Sequence, residues 1–310
     1  MKRLRITILS AVAALAGLTV SSGAMAQATW NLYSSGTGTN GCQQSGTNSG
    51  SYGNSWNCTG SSGGTAKASA WSDDRGTSGT ADFLAAPSTG SYYASAYLSP
   101  QGSSGFGAAS RREGLGATSP NHAFDSIAPG TQDLLLLDFG SASVILDKIG
   151  IGWKGTDSDI TLLRWTGSTA PTVVNTVPGS TRAGDGHQNL TKALATPTLA
   201  GWSLVGSYSN LAPDSSLPFG GTAVNTGATQ ASSWWLISTF NSALNGGMSC
   251  KKADGTTSTC DNSNDAFKLN FVSTKAAPPP GNVPEPGSLA LAGLALAGLF
   301  VVRRSGKKQA

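Results

Sequence analysis

Two aspartates separated by one residue are the first candidates for chemistry in this sequence. Asp157 and Asp159 lie in a loop that precedes a strand-like run. Carboxylate oxygens at this spacing on a turn are a common start of a calcium site. The segment lacks the further acids and the glycine of a complete calcium loop, and aspartates also form turns before strands without binding metal. We expect at most a weak structural Ca²⁺ site and no other cofactor.

A pair of adjacent tryptophans is the candidate for sugar binding. Trp234 and Trp235 lie together in an apolar, strand-like run. Adjacent residues of a strand face opposite sides of a sheet, so one of the two indoles can be exposed. An exposed indole combines apolar area with a polar edge and can stack on a sugar ring. Packing in a core is the alternative role for either residue.

No catalytic arrangement stands out. Residues 36–41 fit GxGxxG and residues 60–64 fit GxSxG, but both lie in low-complexity Gly/Ser segments without a strand-turn-helix context. Almost all acids are scattered aspartates, and no pair can be placed across a cleft. We therefore expect a protein that is not an enzyme.

The N-terminal segment reads as a secretory signal. Lys2, Arg3 and Arg5 precede an apolar run, and Ala24 and Ala26 form an A-x-A cleavage site. Signal peptidase is expected to cut after Ala26, so residues 1–26 are assigned to a signal peptide.

The C-terminal segment has three ordered parts. Val283, Pro284, Glu285 and Pro286 come first, residues 289–302 are entirely apolar, and a basic tail begins with Arg303 and Arg304. As a helix the apolar run spans roughly 21 Å, less than the hydrocarbon core of about 30 Å. We expect a marginal membrane helix with the basic tail in the cytoplasm. The prolines keep the preceding residues extended, where a processing enzyme can grip them.

This arrangement resembles the PEP-CTERM sorting signal over about the last 25 residues. The resemblance implies a Gram-negative bacterium that makes extracellular polysaccharide, transient anchoring in the inner membrane, and an exosortase that cuts near Pro-Glu-Pro. The protein would then reach the cell surface or the extracellular matrix.

The net charge of +4 comes from the two terminal segments. They hold seven of the 20 basic residues, and 13 basic and 15 acidic residues remain between Gln27 and Val283. Nucleic-acid binding needs a basic face on the folded domain. We therefore expect no nucleic-acid partner.

The four cysteines are expected to form disulfides in an exported chain. Local pairing is preferred among three possible connectivities, which joins Cys42 to Cys58 and Cys250 to Cys260. Each bond would close a loop that is poor in apolar residues.

About ten short apolar or alternating runs predict an all-β fold, a single β-sandwich or jelly roll over residues 27–275. The clearest runs are residues 132–139, 144–153, 159–166, 201–208, 233–240 and 266–272. Residues 99–119 are predicted to be a long exposed loop. Residues 276–282, with three prolines, form a stiff stalk before the sorting signal of residues 283–310.

Several segments between residues 121 and 272 also resemble the exosortase-dependent surface proteins. They are HisAlaPheAsp at 122–125, the Leu-rich run at 133–139, and residues 151–167, 201–208 and 265–269. The resemblance implies a surface role and supplies no catalytic residues.

Together these features predict a structural or adhesive component of an extracellular polysaccharide or biofilm matrix. The alternatives are a glycan-binding β-sandwich module and, less favoured, a polysaccharide-active enzyme.

Overall fold

The computed structural model describes the greater part of the chain between residues 27 and 277. The described residues are 27–33, 41–45, 52–72, 92–110, 113–115, 122–126, 132–171, 173–174, 189–191, 201–213, 220–227, 229–241, 249–261, 264–277 and 294. The predicted signal peptide, with Ala24 and Ala26, lies outside them. So do Val283, Pro284, Glu285, Pro286, Arg303 and Arg304.

Within these residues the fold consists of β-strands and one short 3₁₀ turn, Gly102–Ser104. The strands are β1 (Ala28–Asn31), β2 (Cys42–Ser45), β3 (Ser55–Thr59), β4 (Thr65–Ser72), β5 (Tyr92–Ser95), β6 (Tyr97–Pro100), β7 (Phe106–Ala109), β8 (Phe124–Asp125), β9 (Asp133–Asp138), β10 (Val144–Lys154), β11 (Ile160–Trp165), β12 (Val173–Val174), β13 (Asn189–Thr191), β14 (Trp202–Tyr208), β15 (Thr222–Ala223), β16 (Trp234–Thr239), β17 (Cys250–Lys251), β18 (Thr257–Ser258) and β19 (Ala266–Ala276).

The strands form two sheets. In the smaller sheet β19 is the central strand and pairs with β1, β7, β8 and β10. The larger sheet runs in the order β12-β13-β5-β4-β9-β16-β11-β14-β17-β18, with the β2–β3 hairpin attached to β4. The all-β, sandwich-like fold that the sequence predicts is confirmed.

The main core lies between the two sheets. Trp30, Leu135, Trp235 and Phe267 are fully buried in it, and the Trp30 and Phe139 rings meet edge to face at 5.0 Å between centroids. Aromatic residues dominate such cores because each buries a large apolar area.

The larger sheet is apolar on both faces. Along β9, Leu135 and Leu137 belong to the main core, whereas Leu134 and Leu136 belong to a second cluster with Trp71, Trp202 and Leu236. Side chains alternate across a sheet, so the two clusters lie on opposite faces. This explains why the β9 run is continuously apolar instead of alternating.

One sequence prediction about the fold is wrong. Residues 99–119 are not one long exposed loop, because β7 runs through them and Phe106 is fully buried. The loop that the Cys42–Cys58 bond closes belongs to the β2–β3 hairpin, in which these two cysteines are directly paired. Short strands rich in Gly and Ala, such as β7, or in polar residues, such as β2 and β3, carry too little apolar pattern for sequence to detect them.

Candidate functional site

A groove at one end of the larger sheet brings two tryptophans together. Its volume is about 340 Å³, within the range of small-ligand pockets. It lies where the ends of β11 and β16 meet the turn between β9 and β10. The described residues that line it are Gly140, Ser141, Ser143, Arg164, Trp165, Thr166, Gly167, Ser168, Ala231, Ser232, Ser233 and Trp234.

Ser232 fixes the floor of this groove. Its Oγ lies 2.9 Å from the carbonyl oxygens of both Trp165 and Trp234, so its single proton can be donated to either one, and it accepts the Trp234 N–H at 3.1 Å. Ser232 also pairs with Val144 of β10 through two backbone hydrogen bonds of 2.9 and 3.0 Å. The backbone that carries the two indoles is therefore held in place before any ligand binds.

The indoles themselves are only half-buried. Trp165 packs edge to face on Trp202 at 5.2 Å, and its Nε1–H donates to the Thr169 carbonyl at 2.6 Å. Trp234 packs against the second apolar cluster. Arg164 adds a cation, and burial lowers the pKa of its guanidinium. Two fixed aromatic surfaces beside hydroxyl and guanidinium donors can bind a polar ring that has apolar faces.

The structure separates the two tryptophans that the sequence pairs. Trp235 has no exposed area, and its Nε1–H donates to the Ser232 carbonyl at 3.1 Å. The prediction that Trp235 stacks on a glycan is therefore wrong, because alternation along β16 turns it into the main core. Trp165 is the second groove tryptophan, and the sequence pattern alone did not distinguish it as a candidate.

Asp157 and Asp159 are joined by Asp265 at the edge between the sheets. One carboxylate oxygen from each of the three lies within 4.8 Å of the others. Asp265 Oδ1 accepts the Asp159 N–H at 2.7 Å, and its Oδ2 accepts the Ser126 hydroxyl at 3.2 Å. Asp159 accepts backbone N–H groups of Asn210 and Asp261 at 2.8 and 3.1 Å.

Burial dominates the electrostatics of this group. It raises the pKa of Asp265 to about 8 and that of Asp159 to about 6, and the neighbouring carboxylates add to both increases. Three close acids can hold a hard cation, but hydrogen-bond donors already occupy both oxygens of Asp159 and Asp265. Calcium binding by Asp157 and Asp159 stays a prediction.

Both expected disulfides are present, Cys42–Cys58 and Cys250–Cys260. The first lies in the core, where its cysteines are 0% and 1% exposed. The second joins the start of β17 to the segment after β18.

Of the C-terminal apolar run, the structure describes only Leu294, which is helical and 72% exposed. Within the described residues, no helix has the length and apolar character to cross a membrane. The domain boundaries at residues 26, 275 and 282 stay predictions.

The tail is identified by comparison with known families. Residues 282–305 match the family model of the PEP-CTERM protein-sorting motif. No curated protein and no solved structure matches the chain. The likeness of residues 121–272 to exosortase-dependent surface proteins therefore stays a prediction. By the match of its tail, the chain carries a PEP-CTERM sorting motif, which indicates an exported surface protein sorted through the membrane by an exosortase.

Proposed function

We propose that the β domain is an adhesive component of the extracellular polysaccharide matrix and binds polysaccharide through the Trp165–Trp234 groove. The sorting motif supports the location, since it indicates export and release at the cell surface. The groove supports the mode of binding, since it presents two half-buried indoles among hydroxyl groups. Its two-tryptophan surface is the single observation that carries the proposal.

The proposed role is binding without catalysis. Glycoside hydrolysis needs a pair of carboxylates on either side of the scissile bond. The described residues that line the groove include Arg164 but no aspartate or glutamate. Release of reducing ends from the native polysaccharide by the purified protein would contradict this part of the proposal.

Retention on the polysaccharide of the producing cells tests the binding role. The exported protein is incubated with that polysaccharide, and the bound fraction is measured over a range of polysaccharide concentrations. Trp234→Ala and Trp165→Ala should each weaken retention about tenfold, which corresponds to about 1.4 kcal/mol.

Trp153→Ala is the matched control. Trp153 is also a half-buried strand tryptophan, but it lies in β10 below the Lys268 ammonium at 4.9 Å and does not line the groove. It should keep full retention. Equal retention by wild type and both groove variants, with their folds intact, would rule out this groove as the binding site.

A further inference from the structure

A second group of acids lies between the two sheets, away from the polysaccharide groove. Asp133 begins β9 of the larger sheet, Asp125 ends β8 of the smaller sheet, and Glu113 follows β7. One carboxylate oxygen from each lies within 4.8 Å of the other two. Asp133 and Asp125 are 1% and 5% exposed, and Glu113 is half-buried.

The hydrogen bonds of this group are incomplete. Asp133 Oδ2 accepts the Asp125 N–H at 3.4 Å, and Glu113 Oε2 accepts the Ser110 N–H at 2.6 Å. Asp133 Oδ1 is buried and has no hydrogen-bond partner. A buried acceptor without a well-formed hydrogen bond destabilises the fold, and more strongly when it is charged.

A second buried oxygen, that of Ser72, lies beside Asp133. Ser72 of β4 is directly opposite Asp133 in the sheet, so both side chains lie on the same face. Ser72 is 1% exposed, and its hydroxyl lies close enough to Asp133 to lower the pKa of that carboxyl, but Ser72 Oγ makes no hydrogen bond of normal geometry. Two buried oxygens from neighbouring strands, neither with a well-formed hydrogen bond, thus lie at one group of carboxylates.

Three acidic side chains also lie close together in this group. Burial is the largest cause that raises the pKa of Asp133 well above its usual range, and the charges of Asp125 and Glu113 follow. The causes that lower it are the Ser72 hydroxyl and the Asp125 N–H. Buried like charges at this distance are unstable unless they bind a cation or take up protons.

We propose that Glu113, Asp125 and Asp133, together with Ser72 Oγ, bind one Ca²⁺ ion that connects the two sheets. Calcium takes six to eight oxygen ligands, often carboxylates, and tolerates irregular geometry. The ion gives Asp133 Oδ1 and Ser72 Oγ a partner of good geometry and neutralises the acids. The Asp157–Asp159–Asp265 group differs, because donors of the protein already occupy both oxygens of Asp159 and Asp265. This site is independent of the proposed polysaccharide binding.

Thermal unfolding of the exported protein in CaCl₂ and in EDTA tests the site. Wild type should unfold at a temperature at least about 5 °C higher in CaCl₂ at a hundredfold excess over Kd. Asp133→Asn keeps the shape of the side chain but removes a charge, and should lose most of that increase. Calorimetric titration with CaCl₂ should show that Asp133→Asn binds calcium at least about tenfold more weakly than wild type does.

Three further variants test whether the calcium response depends on this group of acids. Glu113→Gln, at a half-buried position, should weaken the calcium response and serves if Asp133→Asn does not fold. Asp138→Asn changes the same residue type at the other end of β9, where Oδ1 caps the Gly140 N–H, and should keep the full response. Asp265→Asn in the other acidic group should also keep it.

The opposite results would overturn the proposal. Equal unfolding temperatures for wild type in CaCl₂ and EDTA would show that protons, or Arg111 and Arg112 beside Glu113 in the sequence, neutralise the acids instead. A response that survives in Asp133→Asn and Glu113→Gln but disappears in Asp265→Asn would assign the calcium to the other group.

Discussion

Trp234 and Trp235 are adjacent in β16 and lie on opposite faces of the larger sheet. Trp235 is completely buried between the two sheets, and Trp234 is half-buried at the groove on the other side. One dipeptide therefore contributes to both the stability of the domain and its proposed binding surface.

Substitution of these two residues should separate stability from binding. Trp235→Ala removes a fully buried indole and should lower the free energy of unfolding by about 3–5 kcal/mol. Trp234→Ala should lower it by only about 1 kcal/mol while it weakens polysaccharide retention. Urea unfolding followed by circular dichroism measures the first quantity. Equal destabilisation by the two changes would contradict the assignment of faces.

The stability of the domain should depend on pH through Asp265 and Asp159. Their pKa values are raised to about 8 and about 6 in the folded protein, compared with about 4 in the unfolded chain. The folded state therefore binds more protons at these two sites, so their contribution to the free energy of unfolding is largest below about pH 4. It should fall as the pH rises through about 6 and about 8.

Asp265→Asn tests this prediction in EDTA. The amide mimics the protonated acid, keeps an acceptor for the Asp159 N–H, and should flatten the pH profile. At pH 8.5 the variant should be more stable than wild type by more than about 1 kcal/mol. Asp254→Asn is the control, because Asp254 lies in an exposed turn and hydrogen bonds from Thr256 lower its pKa. Any effect of this change on stability therefore lies below about pH 4. An unchanged slope in Asp265→Asn would contradict the burial argument.

Two nearby glycines should respond very differently to alanine. Gly102 and Gly105 both have positive φ, 58° and 95°, which costs alanine about 1–2 kcal/mol. A Cβ at Gly102 meets no atom within 4 Å, but one at Gly105 would lie 1.9 Å from the Leu269 carbonyl oxygen. Gly102→Ala should therefore cost about 1 kcal/mol and Gly105→Ala about 3 kcal/mol or more. Equal unfolding midpoints in urea for the two variants would contradict the close approach of this turn to β19.

The two disulfides close loops of similar length, with sequence separations of 16 and 10 residues. Loop entropy therefore predicts a loss of about 3 kcal/mol for either one. Replacement of Cys42 and Cys58 by alanine also leaves a cavity in the core, whereas Cys260 is only half-buried. The first double variant should be the less stable by about 1 kcal/mol in urea titrations. The reverse order would contradict the burial of this bond.

The long apolar strands could be predicted from the sequence because their pattern is local. The leucine run of β9 and the neighbouring β11, β14 and β16 each carry enough apolar residues to identify a strand. β7 could not be predicted, because Phe106 is its one large residue, and its burial depends on glycines that let other backbone segments approach.

The functional clusters were harder to predict because they form across the sheets. The spacing of Asp157 and Asp159 predicts a candidate metal site. Asp265 comes more than a hundred residues later, and only the fold brings it to them. Likewise, nothing in the sequence near Ser72 indicates that it lies opposite Asp133. Period-2 alternation correctly predicts that Trp234 and Trp235 differ in exposure, but not which of them is buried.

The intact mass of the protein recovered from the surface of the producing cells tests the sorting pathway most directly. We expect a chain that lacks residues 1–26 and ends near Pro284-Glu285-Pro286, with both disulfides formed. Recovery from the cell surface of a chain that still carries residues 287–310 would contradict processing by an exosortase.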